Sequence, residues 1–204
     1  MSGDDSNPEI RQLVCLRHGE STNVVQRQAG ALPDAALTGT GQQQALITAR
    51  RLIDAGIDRV FASTALRAAQ TADLIAAELG LGVELMPELG EVWLGADEGS
   101  TDDDVHAQTA EALHAWIVRG DLTPRFASGE SGYDVVRRMS AALEQIANIS
   151  TPGSASLVVG HVASLTATIS HLCRNGATFW GRPLPHATPF PVIRTGTTWS
   201  CHWP

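Results

Sequence analysis

The sequence has no run of 18 apolar residues and no basic segment followed by an apolar one at its start. Neither a membrane-spanning helix nor a secretory leader is therefore expected. Cysteine is scarce: Cys15, Cys173 and Cys201 are odd in number and far apart in sequence, which argues against a disulfide framework or a zinc site and for reduced thiols in an interior. Positive charge is in deficit. With 14 Lys and Arg against 22 Asp and Glu, the formal charge is −8, and nucleic acid is a poor partner because its phosphates are held by basic faces. Internal repeats, low-complexity stretches and linkers are missing as well. What is left is a cytoplasmic protein with no membrane partner. Its 204 residues, 43% hydrophobic and 18% charged, suit one hydrophobic core. Residues 1–11 read as a flexible tail and residues 12–204 as a single domain.

Short continuous apolar runs stand at 12–17 and 155–160, with a weaker one at 59–63, as expected of strands buried on both faces of a parallel sheet. Between them lie helical patterns: 38–55, stopped by Gly56; 64–79, stopped by Gly80; 102–119, stopped by Gly120; about 131–147; and 163–174, ahead of Gly176. The last segment, "FPVIRTGTTWSCHW", reads as a terminal hairpin turning at Thr195 and Gly196, which makes the sheet mixed. Strands alternating with helices predict an α/β fold, a three-layer α/β/α sandwich with a mostly parallel mixed central sheet. The Pro-rich "RPLPHATPFP" at 182–191 reads as a surface connection.

Ligands of open α/β sheets bind beyond the carboxyl ends of the strands. Arg17 and His18 follow the first run, Ser63, Thr64 and Arg67 follow the second, and His161 follows "ASLVVG". Singly, each has an ordinary explanation, a hydrogen-bonded structural histidine or a surface arginine. Together, two guanidinium forks and two imidazoles at one rim suit a tetrahedral phosphoryl dianion, with helix amino termini adding N–H donors. Cys15, inside the strand with no cationic neighbour, is expected to stay protonated and inert.

Six segments, in order, carry a resemblance to a known family. They are "LRHGEST" with Asn23, "LTGTGQQQA" at 37–45, "VFASTALRAAQTA" at 60–72, "LGEVWLGADEG" at 89–99, "SGESGYDVVRRM" at 128–139 and "LVVGHVASL" at 157–165. The chain resembles the histidine phosphatase superfamily, the phosphoglycerate mutase-like branch 1, across residues 11–203. The resemblance implies a phosphoglycerate mutase-like fold and a phosphomonoesterase that needs neither metal nor cofactor. His18 would attack phosphorus to form a phosphohistidine, with Arg17, Arg67 and His161 clamping the nonbridging oxygens and Glu91 protonating the leaving group. Asp97 and Glu98 compete with Glu91 for that last role. Asn23, Ser21 and Val162 are expected to contact substrate.

Two departures matter. Val162 stands where the family usually has glycine, which narrows the pocket. Between Gly99 and Ser128 there is no long insertion rich in basic and aromatic residues of the kind mutases of the family carry. Asp102, Asp103 and Asp104 read as a helix cap, with a lid as the functional alternative. Hydrolysis of a small phosphate ester, a sugar phosphate or phosphoglycerate derivative, is the leading expectation. A phosphoryl-transferring mutase and a noncatalytic phosphate-binding protein are the alternatives. A homodimer is possible, with Trp180 either an interface or a core residue.

Overall fold

The first strand accounts for its own unbroken apolar run. In the computed structural model, which describes residues 9–126 and 128–204, strand β1 spans Ile10–Arg17 and is covered on both sides. Leu13 and Cys15 point into one hydrophobic cluster, Val14 and Leu16 into another. With both faces buried, alternation of polar and apolar residues has no use, and a continuous run results.

The chain continues through α1 (Thr22–Val25), α2 (Gly39–Leu52), β2 (Ile57–Ala62), α3 (Leu66–Leu79) and β3 (Val83–Leu85). It then runs through α4 (Asp103–His114), α5 (Gly132–Ile149), β4 (Ala155–Gly160), α6 (Val162–Cys173), α7 (Gly176–Phe179), β5 (Phe190–Thr195) and β6 (Thr198–Cys201). The six strands form one sheet in the order β3-β2-β4-β1-β5-β6. Pairing is parallel through β4, and β5 and β6 add an antiparallel hairpin beside β1. Helices α2 and α3 pack on the Val14 and Leu16 face, α5 and α6 on the Leu13 and Cys15 face. This is the expected three-layer α/β/α sandwich. Each fully buried leucine of β1 contributes about 2 kcal/mol of apolar transfer, so the central strand is the stiffest part of the frame.

Several boundaries differ from the sequence reading. Ile10 and Arg11, expected in a flexible tail over residues 1–11, belong to β1 and pair with Thr195 and Arg194 of the hairpin, 185 and 183 residues away; residues 1–8 lie outside the described residues. The third helix is α-helical only to His114, then widens into a π turn over Ala115–Arg119 that ends at Gly120 with φ 67°. Short, exposed β3 carries no sequence signal strong enough to predict it. The Pro-rich segment is no mere surface connection: Ala187 N–H donates to the Arg17 carbonyl at 2.9 Å, extending the sheet past the end of β1.

All three cysteines are free, Cys15 buried and Cys173 and Cys201 half-buried. Among the described residues no helix is long and apolar enough to cross a membrane.

Candidate active site

Register brings the two expected histidines together. β1 and β4 are parallel, Arg17 pairs with Gly160, and His18 N–H donates to the Gly160 carbonyl at 3.0 Å. His18 and His161 thus leave neighbouring strands at the same level, their rings 5.2 Å apart and edge to face. β2 ends one residue earlier beside β4, where Ser63 N–H donates to the Val159 carbonyl. From that end α3 begins, and its second residue, Arg67, turns back under both imidazoles.

The hydrogen bonds of the His18 ring fix its tautomer. Nδ1 lies 2.6 Å from the Gly19 carbonyl, which can only accept, so Nδ1 carries the proton. Nε2 lies 3.1 Å from Arg67 Nε, which can only donate, so Nε2 presents its lone pair. Burial, reinforced by Arg67 and Arg17, holds the pKa of His18 well below its ordinary value. A neutral imidazole with an unprotonated Nε2, its lone pair here accepting from Arg67 Nε–H, is a nucleophile in its reactive protonation state once that contact is released.

His161 is fully buried. Its Nδ1 accepts from Arg67 Nη2 at 3.2 Å, which leaves its Nε2–H to donate to Ser63 Oγ at 2.8 Å. Burial, then the charges around it, push its pKa well down too. Arg67, only 1% exposed, also donates to the Leu32 carbonyl at 2.8 Å, so its fork is locked from three sides. Arg17 donates Nη1 to the Leu184 carbonyl, while its buried Nε has no partner among the described residues. Burial pulls Arg17 down to about 10, which leaves it cationic at neutral pH. An unpaired donor on a buried cation is costly. An oxyanion beside it removes that cost.

Glu91 docks on the amino terminus of α6. Its Oε1 accepts from Ser164 N–H at 2.8 Å and Val92 N–H at 3.0 Å, and its Oε2 from Ala163 N–H at 3.1 Å. It lines the same cavity as Arg17, His18, Asn23 and Arg67, a space of about 200 Å³. Its rival Glu98 is spent on structure, accepting from Leu32 N–H and Leu94 N–H. Asp97 is not in the cavity wall. Val162 is in the wall, and its N–H has no partner among the described residues. Ser21 is not a contact residue. Fully buried and outside the cavity wall, it stands at the N-cap position of α1 without a side-chain capping bond and donates Oγ–H to Asn23 Oδ1 at 2.7 Å, so it orients Asn23.

Within the 99–128 segment, helix α4 forms part of the cavity wall. Asp102 caps α4 by accepting from Asp104 N–H at 2.8 Å, as expected, and Asp103 pairs outward with Arg27. The other face of α4 turns His106, Thr109 and Leu113 toward the cavity.

Sequence reasoning missed three contributors. His186, from the Pro-rich segment, packs its ring 5.7 Å from His18 and hydrogen-bonds the His18 carbonyl through Nδ1 at 3.0 Å. Glu130 and Arg138 form a two-bonded ion pair that grips the Glu91 loop: Arg138 donates to the carbonyls of Glu88, Gly90 and Glu91, and Glu130 accepts from Trp93 N–H. "GES" within the helix-start motif was the available signal for Glu130. Gly41 is the third. A Cβ on Gly19 would meet the Gly41 carbonyl oxygen at 2.5 Å and one on Gly41 the Glu20 carbonyl oxygen at 2.0 Å. Gly19 is thus needed for this close backbone approach.

The histidine phosphatase superfamily (branch 1) matches residues 13–201. The chain belongs to that family. A probable phosphoglycerate mutase GpmB of Erwinia tasmaniensis is 35% identical over 160 residues, which are 78% of this chain and 73% of that one. A mycobacterial glucosyl-3-phosphoglycerate phosphatase, solved in complex with VO3, is 25% identical with a TM-score of 0.79 over 95% of this chain and 98% of the other. A phosphoglycerate mutase from Bacillus anthracis, 18% identical with a TM-score of 0.83 over 97% and 94% of the two chains, shares the fold. Phosphatases and mutases thus both stand among its relatives.

Proposed function

We propose that this histidine phosphatase is a metal-independent phosphomonoesterase that works through a phosphohistidine on His18. The observation that carries the reading is the locked His18 ring, proton on Nδ1 and lone pair on Nε2 facing Arg67. A dianionic phosphoryl group settles between Arg17 and Arg67, meeting the orphan Nε of Arg17 and the free Val162 N–H. Asn23 adds a polar contact. The lone pair of His18 Nε2 attacks phosphorus, the ester P–O bond breaks, and Glu91 gives a proton to the departing alkoxide. Oε2, with one N–H partner against two on Oε1, is the oxygen with room to carry that proton. Water then attacks the phosphohistidine, its proton passing to Glu91. The P–N bond breaks, its electron pair returns to Nε2, and orthophosphate leaves. The two guanidiniums supply positive charge as negative charge develops, the main demand of phosphoryl transfer.

A panel of phosphate monoesters, assayed in EDTA beside His18→Ala, tests this. Turnover by the wild type in EDTA and its loss in His18→Ala is the expected result. Full activity in His18→Ala, or abolition by EDTA, overturns the mechanism. Phosphate binding without turnover favours the noncatalytic alternative. The mutase reading draws on the GpmB relatives. In water enriched with oxygen-18, hydrolysis puts one labelled oxygen into each phosphate released, whereas a mutase moves the phosphoryl group without label.

A further inference from the structure

The wall opposite the arginines is built for something other than a second anion. The phosphoryl cavity opens past Leu113, Val162 and Ala163, and the same three residues line a second cavity of about 320 Å³. Its far end is closed by Phe179, Trp180 and Pro183. The two spaces are neighbours that share this wall, the first lined by charged side chains where phosphorus would sit and the second mostly by apolar ones.

Several polar side chains along these walls are hydrogen-bonded within the protein. Thr166 Oγ1 donates to the Val162 carbonyl at 2.5 Å, Thr109 Oγ1 to the Val105 carbonyl at 2.8 Å, and His106 Nε2 to the Arg27 carbonyl at 2.9 Å. Arg182, the one cation among the described residues of the second cavity, donates Nη2 to the Pro204 carbonyl at 3.1 Å. Gln28, and Asn23 at the phosphoryl end, keep amide N–H groups without such a bond among the described residues. The chain has no lysine, and Arg17 and Arg67 are held at the phosphoryl end. A carboxylate, a second phosphate or a sugar ring entering here would lose water and find few partners beyond the exposed Arg182 guanidinium.

We infer that the substrate is a phosphate monoester of an apolar alcohol, its hydrocarbon part lying in the groove between Leu113, Val162 and Trp180. The inference rests on the phosphomonoesterase reading and narrows it away from the sugar phosphate or phosphoglycerate that the family resemblance implies. Val162 acquires a role here. Its branches, where the family usually has glycine, supply the apolar floor at which the two cavities join.

The test uses straight-chain alkyl monophosphates from ethyl to octyl, whose leaving alcohols differ little in acidity, so that chain length alone varies. Glycerol 1-phosphate and 3-phosphoglycerate serve as polar comparisons. The expected result is a rise in kcat/KM of about threefold for each added methylene that the groove buries, with hexyl phosphate exceeding glycerol 1-phosphate at least tenfold. In Leu113→Asn and Trp180→Ala, the increment per methylene falls below twofold. The slope is read within each variant and so does not depend on how much folded enzyme each yields. A flat series in the wild type, or a preference for glycerol 1-phosphate or 3-phosphoglycerate over hexyl phosphate, overturns the inference while leaving hydrolysis through His18 intact. A slope unchanged in both variants overturns the assignment of the groove. Absence of turnover on every ester overturns the phosphomonoesterase reading and the inference with it.

Discussion

The two ends of the groove are built by opposite means. At the phosphoryl end, Arg17, His18, Arg67 and His161 come from three adjacent strand ends of one sheet; Arg67 is hydrogen-bonded to both imidazoles, and Arg17 is tied to the Leu184 carbonyl. At the other end, Leu113, Val162 and Trp180 come from helices and a loop, and their contribution is shape and apolarity. The chemistry end tolerates no change of atom. The leaving-group end can trade one apolar side chain for another at modest cost, so divergence in substrate among relatives that share the fold belongs there.

His18→Ala is the most severe way to test that contrast. It removes the nucleophile, and kcat is expected to fall about 10,000-fold or more on every ester, whatever its leaving group. Loss confined to some esters, seen in steady-state rates, would place chemistry at the wrong end. Arg67→Ala comes next, with kcat expected to drop roughly 100- to 1,000-fold through loss of charge stabilisation. Arg67→Lys is expected to recover only part, because a single ammonium cannot bridge both imidazoles and the Leu32 carbonyl.

Arg138→Ala acts on the join between the two ends. Freeing the Glu91 loop is expected to cost about tenfold to a hundredfold in kcat. The loss should be larger for alkyl phosphates than for 4-nitrophenyl phosphate, whose leaving group departs without a proton. Equal losses on both, measured side by side, would make the ion pair purely structural.

The smallest effect is on pH. Unfolded, His18 and His161 each take up a proton near pH 6.5. Folded, burial and the neighbouring guanidiniums keep both neutral well below that pH. Between the two values the unfolded chain binds more protons. Stability is therefore full above about pH 6.5 and falls as pH drops, by up to about 1.4 kcal/mol per pH unit for each histidine. Thermal denaturation from pH 7.5 to 5 checks this, and the acid limb of kcat/KM that reports His18 is expected well below pH 6.5. A limb centred at 6.5 or above would mean the ring is not held neutral.

What was legible in the sequence follows from how locally each feature is specified. Unbroken apolar runs mark strands covered on both faces, and a polar residue just past such a run marks the sheet rim. Arg17, His18, Arg67 and His161 could be placed at one rim for that reason alone. The family motifs then singled out Glu91 from Asp97 and Glu98. Ser21 was read as a contact residue because it sits in the motif, but its neighbour Asn23 takes the cavity and Ser21 the cap.

The sequence by itself determined the layered fold and the placement of Arg17, His18, Arg67 and His161 at one rim, because each depends on patterns a few residues long. Tertiary structure alone decided the tautomer of His18, the approach of His186, the grip of Glu130 and Arg138 on the Glu91 loop, and the apolar groove. Each of these joins segments far apart in the chain. Whether two such segments touch depends on strand register and helix packing, which no local pattern encodes.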